Sequence, residues 1–113
     1  MIDVVALGES LIDFTCASTD PQGYPTMVAH PGGAPANFLA ALSKFGAKTA
    51  FLGKVGDDTF GKLLISTMAS AGIETKGMIK DPNVFTTLAF VTLDVTDKGQ
   101  RSLKDEKQMK QAL

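Results

Sequence analysis

The stretch PGGAPANFLAALSKFGAKTAFLGKVGDDTFG, Pro31 to Gly61, decides how the chain reads. It opens with two glycines and a proline, then turns Ala- and Leu-rich from Ala36 to Phe45. Pro35 suits a first helical turn, where its missing N–H would be unpaired anyway. Phe38, Leu42 and Phe45 fall at i, i+4 and i+7, which predicts a helix burying that face. Gly46 stands where a glycine past the C-cap ends a helix. KTAFLGKVG is then a buried strand candidate. Asp57 and Asp58 can cap a second helix and suit its positive end. That helix carries Phe60, Leu64 and Met68 at spacing four, with Leu63 beside them, and runs to Gly72. Helix, strand, helix is the alternation of an α/β fold.

The same reading extends both ways. Upstream, Asp3 to Glu9 (DVVALGE) is a short apolar run ended by glycine, which predicts a fully buried parallel-sheet strand. SLIDFTC follows as a half-buried strand, with Leu11, Asp13 and Thr15 on one face and Ile12, Phe14 and Cys16 on the other. Ala17 to Pro25 is dense in turn formers and reads as a loop, and TMVAH as a brief returning strand. Downstream, GMIK is a short strand, and TTLAFVTLDV is the clearest strand of the chain. Asp97-Lys98-Gly99 behind it reads as a hairpin turn. RSLKDEKQMKQAL, Arg101 to Leu113, contains no β-branched residue. After Leu103 its apolar residues are Met109, Ala112 and Leu113. Its composition predicts that no partner strand follows the turn.

Composition narrows the function classes. The chain has 113 residues, 44% of them hydrophobic, and a net charge of −1. One domain with a buried core follows. Lys and Arg are scattered, so no nucleic-acid footprint is expected. Cys16 is the only cysteine and His30 the only histidine, so neither a disulfide nor a zinc-type site is expected. No basic segment precedes the first apolar run, and Glu9 interrupts it, which does not fit a signal peptide. No apolar stretch approaches the roughly 20 residues that span a bilayer. A soluble, cytoplasmic chain with no membrane partner is the expectation.

GDDTFGKL, Gly56 to Leu63, nearly spells a phosphate-binding loop. Leu63, however, stands where a Ser or Thr should meet magnesium, and two aspartates would repel phosphate. An N-capped helix with an early glycine is the better reading. PGGAPAN does not spell a dinucleotide fingerprint. It is either a tight turn into a helix or a ligand site. For the second reading, adjacent glycines admit a ligand to the backbone, and the helix start offers free N–H groups. Asn37 adds a donor and an acceptor suited to a hydroxyl-rich ligand. Asp13 interrupts an apolar strand, where a carboxylate wants either solvent or a partner. Cys16 reads as a small buried residue and His30 as a local loop residue.

VVALGESLIDF, PGGAPANFLAALSKFGAKTAFLGKVGDDTFG and TTLAFVTLDVTDKGQRS together resemble the N-terminal portion of a PfkB-type, ribokinase-like sugar kinase. They are most similar to bacterial fructokinases, in matching order from about Val4 to Ser102. The resemblance implies an α/β fold, a partial ribokinase-like sheet flanked by helices with a small β lid. Residues 1–102 would be the N-terminal part of the kinase domain, with lid strands at about 10–30 and 86–102. Residues 103–113 would be a divergent polar tail. It implies ATP-dependent, magnesium-assisted phosphoryl transfer to a sugar hydroxyl. Asp13 matches the family's lid aspartate that holds sugar hydroxyls. Gly32, Gly33 and Asn37 match its sugar-contacting loop and helix start, and Phe90 and Arg101 its lid contacts. Leu39 departs from the small residue usual there.

The family's Gly-rich motif with the catalytic Asp, its anion hole and its ATP site have no counterpart in these residues, so no catalytic or metal-binding residue is assigned. The expectation is a fructose-type kinase fragment, inactive alone and binding no ATP or Mg²⁺ productively. A non-catalytic sugar-binding module and a nonfunctional remnant are the alternatives. Dimerisation through the lid, or aggregation through an open sheet edge, is the expected mode of association.

Overall fold

The computed structural model describes residues 1–95 and 101–109, with side chains through Val91. The chain runs β1 (Val4–Leu7), β2 (Leu11–Thr19), β3 (Pro25–Gly32), α1 (Ala34–Lys44), β4 (Thr49–Gly56) and α2 (Thr59–Ser70). It continues through β5 (Ile73–Glu74), β6 (Met78–Asp81), β7 (Leu88–Val95) and β8 (Arg101–Met109). Two sheets result. In the first, β4 pairs in parallel with β1, β5 and β6. In the second, the order is β3-β2-β7-β8, with β2 and β7 parallel and both outer pairings antiparallel.

Both helices pack onto one face of the first sheet. Leu39 of α1, Phe51 of β4, Met68 of α2 and Ile73 of β5 form its core, with Val4 and Ala6 against them. The Ser43 and Thr49 hydroxyls bond at 2.7 Å and pin α1 to β4. A second cluster, Ile12, Val55 and Leu64, joins the two sheets through α2. Phe14 bridges there as well. Its ring stacks on Phe90 at 5.3 Å and meets Phe60 edge-on at 5.4 Å, both favourable aromatic geometries.

Several expectations change. α1 forms where expected, but its buried apolar side chain is Leu39, while Phe38 is 58% and Phe45 88% exposed. Ala36 and Ala40 flank Leu39 on the core side, and such small side chains let a helix sit close to a sheet. The inward face is therefore the one with the alanines, not the one with the rings. β1 is half-buried rather than fully buried. Val4 and Ala6 face the helices, while Val5, Leu7 and the Leu52 side chain paired with Leu7 are exposed. The loop expected over residues 17–25 is shorter. β2 continues to Thr19, β3 starts at Pro25, and the Asp20 side chain closes the turn by accepting the Gln22 and Tyr24 N–H groups. Cys16 is exposed, not buried, because β2 has run past the core by that point. His30 lies in β3, paired with Asp13, rather than in a loop.

The largest correction concerns the segment after β7. Composition argued against a partner strand, yet β8 pairs antiparallel with β7 from Val95–Arg101 to Leu88–Met109. β-propensity is a weak guide at a sheet edge, where main-chain hydrogen bonding does the pairing. The expected turn at Asp97-Lys98-Gly99 lies outside the described residues.

Candidate functional site

Gly32 ends β3 and Gly33 caps α1, so the chain turns from sheet to helix at these two residues. Gly33 holds φ at 115°, and a Cβ there would sit 2.8 Å from the Glu9 carbonyl oxygen. Only glycine meets both conditions. The cap brings no side-chain hydrogen bond, and the second donor of the turn is replaced by Pro35. The first full helical bond is Asn37 N–H to the Gly33 carbonyl at 3.1 Å. Asn37 itself is exposed, with its amide free to meet a ligand at the positive end of the helix.

Asp13 lies in the middle strand of the second sheet, opposite His30 on β3 and Ala89 on β7. Its Oδ2 lies against Gly32, in the space a Cβ would take. A larger residue at 32 would displace the carboxylate. No hydrogen bond among the described residues engages that carboxylate, although Asp13 is half-buried. A half-buried carboxylate, a buried glycine backbone and a helix start thus meet in one place. Such an arrangement can orient a polyol by accepting its O–H protons on Asp13 while Asn37 offers a donor and an acceptor.

The other two residues expected at the site are placed differently. Phe90 is in register with Phe14, and so on the opposite face of the sheet from Asp13. It is packed into the aromatic cluster. Arg101 opens β8 opposite Val95, and its side chain lies outside the described set.

Two buried polar residues carried no functional reading in the sequence. Ser10 is 3% exposed, and its Oγ has no hydrogen-bond partner. It lines a cavity of ≈ 80 Å³ together with Gly32, Asn37 and the facing sides of α1 and α2. Its signal was a small polar residue set directly before the apolar pair Leu11-Ile12. Thr86 is 2% exposed and belongs to a clasp around Asp58.

The Asp58 side chain accepts from Gly61 N–H at 2.7 Å, Thr86 N–H at 2.9 Å and the Thr86 hydroxyl at 2.7 Å. The Thr86 oxygen in turn accepts from Gly56 N–H at 3.1 Å. Burial opposes the Asp58 charge, but the hydrogen bonds from Thr86 and from the Gly61 and Phe60 N–H groups outweigh it and hold its carboxyl below the usual aspartate range. A Cβ at Gly61 would collide with the Gly56 carbonyl oxygen. The near-phosphate-loop spelling of GDDTFGKL therefore has a structural cause. Its glycines make room for the clasp, and Asp58 caps α2.

A model of the "pfkB family carbohydrate kinase" matches residues 1–108. The chain belongs to the pfkB family of carbohydrate kinases. The match runs past Ser102, where the sequence resemblance was expected to stop, and takes in most of β8. Among curated relatives, the chain is 45% identical over 92 residues to fructokinase-1 of Oryza sativa subsp. japonica and, equally, to fructokinase-1 of Zea mays. Each alignment covers 80% of this chain and 28% of the relative. Among solved structures, fructokinase from Xylella fastidiosa superposes with a TM-score of 0.77 at 35% identity, covering 89% of this chain and 31% of that one. An uncharacterised sugar kinase from Pyrococcus horikoshii, solved with ATP, superposes with a TM-score of 0.72 at 34% identity, covering 90% and 34%. The chain thus spans 28% to 34% of the length of these relatives. It has the mixed α/β, ribokinase-like architecture of a pfkB kinase, with β1, β4, β5 and β6 as its parallel sheet.

Proposed function

We propose that these residues form the sugar-holding N-terminal portion of an ATP-dependent kinase acting on a fructose-type sugar, and that alone they hold the sugar without phosphorylating it. The observation that carries this reading is the Asp13 carboxylate lying against Gly32 beside the glycine-capped start of α1. It is supported by the names of the relatives, which are fructokinases. Asp13 is the acceptor for sugar hydroxyls. The Gly32-Gly33 backbone admits the ring closely, and Asn37 orients it. Arg101 is proposed as a lid contact. Phe90 serves the site indirectly, by stacking on Phe14 and stiffening the strand that carries Asp13.

Phosphoryl transfer needs a positioned base, an anion-stabilising loop and bound nucleotide. Holding one reactant supplies part of the orientation and none of that charge stabilisation. Among the described residues no three His, Cys, Asp or Glu side chains converge as metal ligands. ATP and Mg²⁺ belong, in this reading, to the whole enzyme. Among the described residues no helix is long and apolar enough to cross a membrane.

Two measurements on the 113-residue chain test the proposal. A coupled ADP-release assay with fructose, ATP and Mg²⁺ is expected to show no turnover, whereas sustained turnover refutes the division of labour. Calorimetric titration with D-fructose is expected to show binding that Asp13→Asn abolishes. Unchanged binding in that variant removes Asp13 from the site.

A further inference from the structure

The contacts assigned to the sugar stand on two bodies of the fold. Asp13 belongs to β2 of the second sheet. Asn37 and the Gly33 cap belong to α1, which Leu39 seats on the core of the first sheet. Two side chains grip one polyol only if their separation holds to within about 0.5 Å. The relation between the sheets is therefore part of the site. The shared cluster of Ile12, Val55 and Leu64 draws them together, but apolar burial has no direction. Thr86 supplies direction at this junction. Its hydroxyl accepts the N–H of Gly56, the last residue of β4, at 3.1 Å. The same hydroxyl donates to Asp58 Oδ1 at 2.7 Å, and the Thr86 N–H donates to Oδ2 at 2.9 Å. Thr86 is thus fixed from the first sheet and from the α2 cap at once. The next residue carries the constraint into the second sheet, where the Ile12 N–H donates to the Thr87 carbonyl at 3.0 Å. Ile12 precedes Asp13, and Asp13 is in register with Ala89 of β7. The joint has little slack. A Cβ on Gly56 would stand 2.6 Å from the Thr86 nitrogen, and one on Gly61 would collide with the Gly56 carbonyl oxygen.

We propose that Thr86, held by Asp58, is a positioning residue of the sugar site and sets where the Asp13 carboxylate stands relative to the start of α1. This role rests on the sugar-binding reading above and adds to it two residues that act through Ile12 and Asp13 rather than by touching the sugar. Without the Thr86 hydroxyl, β7 still pairs with β2 through the main chain, and the apolar cluster still joins the sheets. What is lost is the fixed setting of one against the other. Asp13 and Asn37 then meet one polyol together only part of the time, and the loss appears in affinity rather than in the fold.

Calorimetric titration of the 113-residue chain with D-fructose tests this, each variant being measured at a temperature where circular dichroism shows it folded. Thr86→Val is expected to bind fructose about tenfold more weakly, the value of one hydrogen bond to the sugar. Thr86→Ser keeps the hydroxyl and loses a buried methyl, so it is expected to melt lower and yet bind as the unmodified chain does. Phe51→Leu, in the core of the first sheet, is likewise expected to melt lower with affinity unchanged. If Thr86→Val does not fold, Asp58→Asn takes its place with the same expected weakening. It keeps Oδ1 for the Gly61 N–H and the Thr86 hydroxyl and removes the acceptor of the Thr86 N–H. Affinity of Thr86→Val or its substitute within twofold of the unmodified chain overturns the proposal. Equal weakening in Thr86→Ser or Phe51→Leu overturns it too, because affinity would then follow stability. In those cases loss of binding in Asp13→Asn leaves the sugar site standing. No binding of fructose by the unmodified chain sinks both.

Discussion

Replacing Asp58 by Ala removes the acceptor at the centre of the clasp. The Gly61 N–H loses its cap, at about 1 kcal/mol. The buried Thr86 hydroxyl and N–H lose a charged acceptor, at about 1.5–3 kcal/mol together once solvent and relaxation share the loss. A total near 3 kcal/mol is a large share of a small domain's stability and lowers Tm by roughly 15 °C. Thr86→Val keeps the shape but orphans the Gly56 N–H and one Asp58 bond, at about 1–2 kcal/mol. The two losses overlap, because the bond from the Thr86 hydroxyl to Asp58 is counted in both. A double-mutant cycle should therefore show a coupling of at least about 1 kcal/mol. Urea unfolding followed by far-UV circular dichroism is the assay, since the chain has no Trp and one Tyr. If the single costs add to within about 0.5 kcal/mol, Asp58 and Thr86 do not act as one unit.

The lowered Asp58 carboxyl also fixes a pH dependence. Its stabilisation is complete above the unfolded aspartate value near 3.9 and is lost as pH falls through the lower folded value. Asp58→Asn should flatten the acid limb of a Tm–pH curve; an unchanged limb contradicts the assignment. Gly33→Ala, placed at φ 115° with the Glu9 carbonyl 2.8 Å from its Cβ, should cost about 2 kcal/mol or more in urea unfolding. Leu39→Ala should cost about 2–5 kcal/mol, and Phe38→Ala within about 0.5 kcal/mol; the reverse order would restore the ring face of α1 as the core face. Phe14→Ala should cost about 3 kcal/mol and weaken fructose binding by loosening the strand that holds Asp13.

Legibility in the sequence followed the range of the interactions. Gly46 and Gly72 end their helices with positive φ, and Asp58 caps α2. These are local effects within one turn of chain, so sequence shows them. Asp13 and Gly32 were each matched to the family's sugar site, but their contact was not legible, because the two residues sit on different strands and meet only in the fold. The inward face of α1 was misread because its alanines and its aromatic rings both satisfy helical spacing. Which face turns inward depends on how near the sheet lies, and that is set by Phe51 and Ile73 elsewhere in the chain. Thr86 was read as the edge of a strand. Its task depends on Asp58, which only the fold brings beside it. β8 was rejected on composition, although an edge strand asks little of its side chains.

The parallel pairing of β2 with β7 joins residues 12–15 to residues 88–91. On a ribosome, β2 and β3 emerge early and can form their hairpin at once, but its second edge stays bare until β7 is synthesised. Closing that long loop carries an entropic cost before any contact rewards it. The clasp shortens the search. In the folded chain Asp58 of the α2 cap holds Thr86 two residues before β7 begins, so a clasp formed early would deliver the strand to its slot. Slow refolding after loss of either clasp partner would then reflect a strand left without a guide, exposed to pairing with neighbouring chains during translation.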